Sequence, residues 1–387
     1  MSSYRIPFNK PCLAAKEFEY MAEAIRRGHL AGDGHFTRLS RELLETELNA
    51  ARVLLTTSCT HALEMAALLM DLQPGDEVIV PSFTFVSTVN AFALRGAKPV
   101  FADVRPDTLN LDEAQLEGLI TPRTRCIVPV HYAGVGCEMD RILEIATARG
   151  IPVVEDNAHG LFGRYKGRLL GSFGALAAQS FHETKNIICG EGGALVVNDS
   201  RYIERAEYIR EKGTNRNRFF RGQVDKYTWV DLGSSYVMSD MLAAFLYAQL
   251  ERRDEIQKKR KTIWERYRAG LADWADVNGV RLPHVPDCCD QAFHMFYLIL
   301  PDLEARQELI QHLKDRSILA VFHYQPLHLS PMGRAYGGHE GQCPVTEFVS
   351  DRLLRLPFYN DLTAEEQDSV IEGIRKFHPA RQTCVSL

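Results

Sequence analysis

The sequence lacks most of the features that announce a function outright. No apolar run approaches the roughly twenty residues of a membrane span, and none is expected to cross a bilayer. The opening Met1-Ser2-Ser3-Tyr4-Arg5-Ile6-Pro7-Phe8 lacks the apolar core of a signal peptide, so a cytoplasmic location is expected. Basic charge is not in excess: 45 Lys and Arg against 50 Asp and Glu leave a net −5. No global field therefore draws the chain to nucleic acid or a membrane surface. The nine cysteines are an odd number without paired spacing, which reads as reduced thiols. Cys288 and Cys289 stand between Asp287 and Asp290, but no His or Cys pair lies at ligand spacing, so no metal is expected. There is no G-x-G-x-x-G, no G-x-x-x-x-G-K-[ST] and no G-x-S-x-G, and His182-Glu183 lacks the second histidine of a zinc-protease helix. Internal repeats and low-complexity tracts are missing as well.

What is present is a rhythm of short apolar runs. Runs at 52–56, 77–81, 98–103, 125–130, 152–156, 175–180 and 194–198 read as seven buried strands. Helical patterns at 61–72, 86–95, 112–120 and 139–149 separate the first five, and Pro74-Gly75-Asp76 marks a turn. Alternation of this kind predicts a mostly parallel α/β sheet. The later strands crowd together, and 161–174 reads as loop and hairpin, so part of the sheet is expected to be antiparallel. A long helix is predicted from Ser239, its N-cap, to about Leu271, with Asp240 at the positive end of the dipole and an exposed polar stretch at 252–261. A smaller α+β unit follows, with strands at 292–300 and 319–324 and helices at 304–314 and 363–376. With 387 residues, 45% of them hydrophobic, two cores are affordable: a large domain at 1–250 and a small one at 251–387, with residues 1–20 able to pack on the small one.

Two residues carry the chemistry. Asp156 ends the strand Val153-Val154-Glu155-Asp156, where open α/β sheets bind ligands. Lys185 follows a later strand in Ser180-Phe181-His182-Glu183-Thr184-Lys185-Asn186, ahead of Gly190-Glu191-Gly192-Gly193. Alone, the Asp reads as a helix cap and the Lys as a solvated loop residue. Together they form the pair that pyridoxal 5′-phosphate (PLP) needs: a lysine to hold the aldehyde covalently and a carboxylate to keep the pyridine nitrogen protonated. Thr57-Ser58-Cys59-Thr60 joins the first strand to a helix and offers backbone N–H groups to a phosphate, although a simple cap fits equally. Phe85 could stack on a cofactor ring or belong to a core. His159, one turn beyond Asp156, could face the same cavity. Arg216, Arg218, Arg221 and Lys226, interleaved with Phe219, Phe220 and Tyr227, could grip a diphosphate and a base, or form a solvated loop.

Longer stretches resemble the DegT/DnrJ/EryC1/StrS family of nucleotide-sugar aminotransferases over nearly the whole chain. They include Ile6-Pro7-Phe8-Asn9, the segments at 28–37 and 58–66, Pro129-Val130-His131-Tyr132-Ala133-Gly134, the Lys185 segment and Phe322-His323-Tyr324-Gln325-Pro326-Leu327-His328. The resemblance implies the fold of type I PLP enzymes: a mixed seven-stranded sheet plus a smaller C-terminal α+β domain. It implies Lys185 as the covalent lysine, Asp156 as partner of the pyridine nitrogen, Phe85 as the stacking ring and His159 against the other side. Cys59, Thr60 and Ser180 would hold the phosphate. Apart from the resemblance, His323 and His328 in the small domain are the next candidates for substrate contact after the 216–227 segment. Ser235, in Gly233-Ser234-Ser235-Tyr236-Val237, stands where the family places an Asn that reaches the second subunit's site, a departure from the pattern. The implied reaction is amino transfer from L-glutamate, leaving 2-oxoglutarate, to C4 of a dTDP-4-keto-6-deoxyhexose in a homodimer with shared sites. The implied product is dTDP-4-amino-4,6-dideoxygalactose. Its gluco epimer or a 3-keto acceptor is the alternative, then a sugar dehydratase or a non-catalytic nucleotide-sugar binder. Dehydratases of the family carry His in place of Lys185, and a binder would not need Asp156 and Lys185 together.

Overall fold

Runs of β-branched and small apolar residues too short for a helix become strands covered on both faces. The computed structural model describes residues 4–13 and 16–379. Strands β1 (Arg52–Thr56), β2 (Glu77–Pro81), β3 (Lys98–Ala102), β4 (Thr124–Ile127) and β5 (Val154–Asp156) come first. The hairpin β6 (Arg164–Tyr165) and β7 (Arg168–Leu169) follows, then β8 (Leu176–Ser180) and β9 (Gly193–Val197). Residues in β2, β8 and β9 are buried throughout. Alternation sends neighbours to opposite faces: on β1, Leu54 enters one core cluster while Val53 and Leu55 enter another.

The seven strands form two ladders, in the orders β1-β9-β8-β5 and β3-β2-β4. Only β9 runs antiparallel to its neighbours. The expected continuous sheet narrows between β4 and β5 to two isolated parallel bridges, Ile127 with Val153 and Val130 with Asp156. The reason lies in two prolines. Pro152 and Pro129 accept from the amides of Ile127 (3.1 Å) and Asp156 (2.9 Å) but have no N–H to return.

Glu155 anchors the end of β5. Its wholly buried carboxylate accepts from the Gly171, Phe173 and Gly174 amides at 2.8, 2.7 and 2.7 Å and pairs with His131 Nε2 at 2.9 Å.

The predicted long helix is two helices, Asp240–Glu251 and Arg253–Val277, broken at Arg252 with φ −107° and ψ 17°. The first buries Leu246 and Leu250 in the large-sheet core, whereas the second carries Trp264, Tyr267 and Leu271 into a separate cluster. One straight helix would not serve both. The stretch predicted as exposed contains Arg260, which is buried and donates to the carbonyls of Phe293 (2.9 Å) and His294 (2.6 Å) and to Asn360 Oδ1 (3.1 Å).

The second cluster is built on β11 (Tyr297–Ile299), β12 (Val321–Phe322) and β13 (Leu353–Arg355), a three-stranded sheet with β13 in the middle, after the short β10 (Cys289–Asp290) pairs with β6. Ile6 lies in this cluster. The strand expected at 292–300 is confined to 297–299, because the backbone of 292–294 bonds elsewhere: Ala292 N to Gly134 O, Asn186 Nδ2 to Ala292 O, and Arg260 to the two carbonyls after it. The eight cysteines among the described residues are free thiols.

Asp240 does more than favour its own helix dipole. Its carboxylate accepts from Thr37 N (2.7 Å), Thr37 Oγ1 (2.8 Å) and Phe36 N (3.3 Å), capping the helix His35–Leu48, whose own N-cap is Gly34. Asp240→Ala would leave those buried donors unpaired, a loss of about 2–3 kcal/mol. It should appear as a lower urea midpoint, with Asp240→Asn, which keeps an acceptor oxygen, losing less.

Candidate active site

The carboxyl ends of β5 and β8 and the amino end of the helix Cys59–Leu69 open on one cavity of about 820 Å³. Asp156, 5% exposed, lies in its wall. Oδ2 accepts from Thr88 Oγ1 at 2.7 Å and Oδ1 from the Ala158 amide at 3.1 Å, and Thr88 pairs in turn with Thr84 at 2.9 Å. The carboxylate is thus fixed in orientation from two sides.

Lys185 lies in the same wall, in a turn closed by its amide to His182 O at 2.9 Å. Burial pushes its amine down to about 8, with Arg355 adding to the effect and Asp156 opposing it. About a tenth of this lysine is therefore a neutral nucleophile at pH 7, far more than an ordinary lysine offers.

The helix Cys59–Leu69 begins at Ser58, whose Oγ accepts from His61 N at 3.1 Å. Ser58, Cys59 and Thr60 all line the cavity. The first-turn amides and the dipole suit an anion. Close packing of this turn on the sheet requires a glycine opposite: a Cβ at Gly193 would lie 2.4 Å from Cys59 N and Ser58 C. Thr60 Oγ1 donates to Ser87 Oγ at 2.9 Å, and Ser180, paired with Gly193 across the ladder, also lines the cavity. Burial, then Asp156, raises the Cys59 thiol well above its usual range, so it is a neutral lining group.

His159 is 7% exposed and stacks on His294 at 4.2 Å between centroids. His323 lies 6.2 Å from His159 and pairs through Nδ1 with the Tyr132 hydroxyl at 2.7 Å. Burial first, then nearby charges that include Lys185, holds all three well below the histidine range, hence neutral. His159 Nδ1 is buried without a hydrogen-bond partner among the described residues, an atom suited to face a polar ligand. Phe85, the N-cap residue of the helix Val86–Ala93, is 56% exposed and borders the cavity near Tyr324. Tyr324 itself has φ +30°, a strained value for a side chain of that size. Acid, lysine, anion cradle, ring surfaces and an unpaired imidazole nitrogen together fit PLP.

Not every expected residue is here. His328 is buried behind the wall, with Nδ1 on Ser82 Oγ at 2.6 Å and Nε2 on Glu347 Oε1 at 3.0 Å, so both nitrogens are committed and substrate contact is ruled out by position. Arg216, Arg218, Arg221, Lys226 and Tyr227 do not line this chain's cavity. The three arginines are matched locally, Arg216 to Glu211 at 3.8 Å, Arg218 to Glu204 at 3.4 Å and Arg221 to Glu207 at 2.5 Å. Ser235 is exposed, away from the cavity, and bridges Glu211 through its backbone. Conversely, Thr88, His294, Tyr324 and Arg355 belong to the site or its support and were not singled out by role. Thr88 had a local signal, one turn after Phe85. His294 and Arg355 arrive from distant segments and had none.

Comparison with known proteins agrees with this geometry. The chain is 34% identical over 378 residues to the spore coat polysaccharide biosynthesis protein SpsC of Bacillus subtilis, covering 96% of each. Among solved structures, the aminotransferase TlmJ from Streptoalloteichus hindustanus is 31% identical with a TM-score of 0.86, covering 97% of this chain and 98% of that one. Spr1654 from Streptococcus pneumoniae, assigned as a sugar aminotransferase and solved in its PMP form, is 27% identical with a TM-score of 0.89, covering 96% and 98%. Residues 11–375 match the DegT/DnrJ/EryC1/StrS aminotransferase family, and with its lysine, acid and anion cradle in place the chain belongs to that family.

Proposed function

We propose that this protein uses PLP to transfer the amino group of L-glutamate to C4 of a dTDP-4-keto-6-deoxyhexose, giving dTDP-4-amino-4,6-dideoxygalactose. The observation that carries the reading is Asp156 and a desolvated Lys185 in one wall at the end of a helix dipole. The PLP and PMP forms in which Spr1654 has been solved support the cofactor. The choice of sugar is supported by the segments 209–216 and 219–229, which resemble the enterobacterial enzyme making that amino sugar.

PLP, when bound, supplies an electron sink for the amino carbon. The protein's part is orientation and proton handling. Asp156 would hold a proton at the ring nitrogen, its own carboxylate fixed by Thr88 and Ala158. Ser58, Cys59, Thr60 and Ser180 would take the phosphate, and Phe85 and His159 would flank the ring. Lys185 Nζ would take and return the proton at the reacting carbon. A homodimer is part of the proposal. The segment 216–232 exposes Phe220 (67%), Trp229 (74%) and Leu232 (52%), an apolar surface out of place on a free monomer. Of its ion pairs, Arg218–Glu204 is exposed on both sides and of small worth, whereas Glu207 and Glu211 are buried carboxylates paired with half-exposed arginines. Among the described residues no helix is long and apolar enough to cross a membrane, and a cytoplasmic location is proposed with the rest.

Lys185→Ala should lose the visible absorbance of the covalently held cofactor. In the wild type, capture of added PLP by the apoenzyme should accelerate as pH rises towards about 8 and level off above it, since only the neutral amine attacks. A midpoint near that of an ordinary lysine would contradict the desolvated amine. Asp156→Asn should keep the cofactor yet lose turnover on the order of a hundredfold, about 3 kcal/mol of barrier; near-normal turnover would remove Asp156 from the mechanism.

The product test is NMR after incubation with dTDP-4-keto-6-deoxyglucose, L-glutamate and PLP. An axial 4-amino group is expected; an equatorial one transfers the assignment to the gluco epimer, and no amino sugar at all refutes the substrate. Subunit sharing is checked by mixing Lys185→Ala with an inactive variant altered at Arg216, Arg218 and Arg221. Partial recovery on subunit exchange is expected, and none despite proven exchange would place each site within one chain.

A further inference from the structure

Two thiols stand side by side on a strap that leads into the cavity wall. Cys288 and Cys289, both half-buried, lie with their sulfurs 4.0 Å apart, and neither lines the cavity. The peptide unit between them is held at both polar atoms: Cys288 O accepts from Lys166 N at 2.7 Å, and Cys289 N donates to Pro286 O at 2.9 Å. Cys289 opens β10 opposite Tyr165 of β6, and its sulfur lies 3.7 Å from Gly136 O. From β10 the chain runs directly to the cavity. Ala292 N donates to Gly134 O at 2.9 Å, Ala292 O accepts from Asn186 Nδ2 at 2.6 Å, and His294 Nδ1 pairs with Asn186 Oδ1 at 2.9 Å. Asn186 is the residue after Lys185. Phe293, between those contacts, has φ +52°, a left-handed value that a bulky residue keeps only while its neighbours hold it.

No cluster of three or more His, Cys, Asp or Glu able to hold a metal ion includes this pair among the described residues, so a structural ion does not account for it. Thiol exchange does. A trans peptide fixes adjacent Cα atoms about 3.8 Å apart, below the roughly 4.4–6.8 Å usual across a disulfide. A bond of about 2.05 Å between these sulfurs therefore needs the intervening peptide to turn. The two hydrogen bonds on that peptide oppose the turn. A disulfide closed against such opposition is readily reduced, which marks a labile bond rather than a structural one. The pair thus has two arrangements: thiols with the peptide pinned, or a ring with the pinning lost. Burial first, and then the neighbouring Cys288, hold the Cys289 thiol protonated, so the first attack falls to Cys288. Capping Cys288 removes that second effect and frees Cys289 to follow.

We propose that Cys288 and Cys289 form a reversible modification site for low-molecular-weight disulfides, whose closure to a vicinal disulfide loosens the strap holding the Lys185 turn. The Cys288 thiolate attacks one sulfur of the incoming disulfide, forming a mixed disulfide and releasing one thiolate. Cys289, its proton lost to solvent, attacks the Cys288 sulfur and expels the second thiolate. The protons shed by the two cysteines pass through solvent to the two released thiolates. Two protein thiols are oxidised and one external disulfide is reduced to two thiols. With the peptide turned, Lys166 N and Pro286 O lose their partners and β10 comes away from β6. The slack reaches Ala292, whose bonds to Gly134 and Asn186 position the cavity wall beside Lys185. Asp287 and Asp290 flank the pair, exposed, and favour an uncharged disulfide over an anionic one.

The test treats the holoenzyme with 2-hydroxyethyl disulfide, an uncharged reagent, and follows mass, amide hydrogen exchange and the L-glutamate half-reaction. The peptide carrying Cys288 and Cys289 should become lighter by two hydrogens and hold no adduct. Exchange at the Lys166, Cys289 and Ala292 amides should quicken, while visible absorbance shows the cofactor retained. The half-reaction should slow about fivefold or more, the lower range of coupling between separate sites, and dithiothreitol should restore it. Cys289→Ser should stop at the mixed disulfide on Cys288, and Cys288→Ser should form neither bond and resist the reagent. Both variants should have ordinary turnover before treatment. Failure of the folded wild type to close overturns the site. Closure that leaves Ala292 exchange and the half-reaction unchanged overturns the coupling to Lys185, and a slowing that persists in Cys288→Ser belongs to another thiol and overturns it as well. Mass and exchange are read without turnover, so a wild type that closes and loosens at Ala292 but never transaminates defeats the proposed function alone.

Discussion

The molecule turns on a carboxylate that never meets a ligand. Glu155 is wholly buried and gathers donors from His131, Gly171, Phe173 and Gly174. Those contacts tie the end of β5 to the loop that launches β8 and to the segment after β4. The loop can come this close because two positions are glycine: a Cβ at Gly171 would lie 2.5 Å from Gln179 Nε2, and one at Gly174 would lie 2.5 Å from Val153 O. With Glu155 fixed on one face of β5, pleating aims Asp156 to the other. Removing one partner from so buried a group leaves the others unpaired, at several times the worth of a single hydrogen bond. The catalytic acid thus inherits its rigidity from a neighbour with no chemical role.

The two ends of the chain differed in how much could be read from residues alone. All seven runs of the large sheet became strands, because burial on both faces writes a continuous apolar signature. The Lys185–Asp156 pair was legible for a related reason: strand ends are where a buried chain meets a cavity. The narrowing at Pro129 and Pro152 could have been anticipated from missing donors, and the helix break at Arg252 could not, since both halves have helical periodicity and only their separate cores demand the change of direction. The Arg216–Tyr227 segment was read as a ligand grip or a solvated loop; within this chain Arg216, Arg218 and Arg221 meet Glu211, Glu204 and Glu207, pairings that counting cations within the segment does not show. The third wall of the cavity had no local signal. His294 reaches Asn186 across 108 residues, and its backbone is pinned by Arg260, a residue that looks solvent-exposed in a polar stretch.

Charge in the cavity is sparse and deliberate in placement. Burial keeps His159, His294 and His323 neutral, so three imidazoles contribute ring surface and hydrogen-bonding edges without adding positive field. Against that neutral lining, each remaining ion acts at long range, as the effect of Arg355 on Lys185 shows. A lysine held down to about 8 lies between its roles as nucleophile and as proton carrier, and small changes in nearby charge tip it either way.

The two-bridge join between the ladders has a further consequence. Asp156 belongs to one ladder, and Thr88, which holds it, follows β2 in the other. Their hydrogen bond is a stitch across the weakest line of the sheet. A ligand seated between Asp156 and the walls around it spans that line as well, so its binding energy adds directly to the cohesion of the fold. Loss of the cofactor would then register first as breathing along one seam, between two halves that each remain intact.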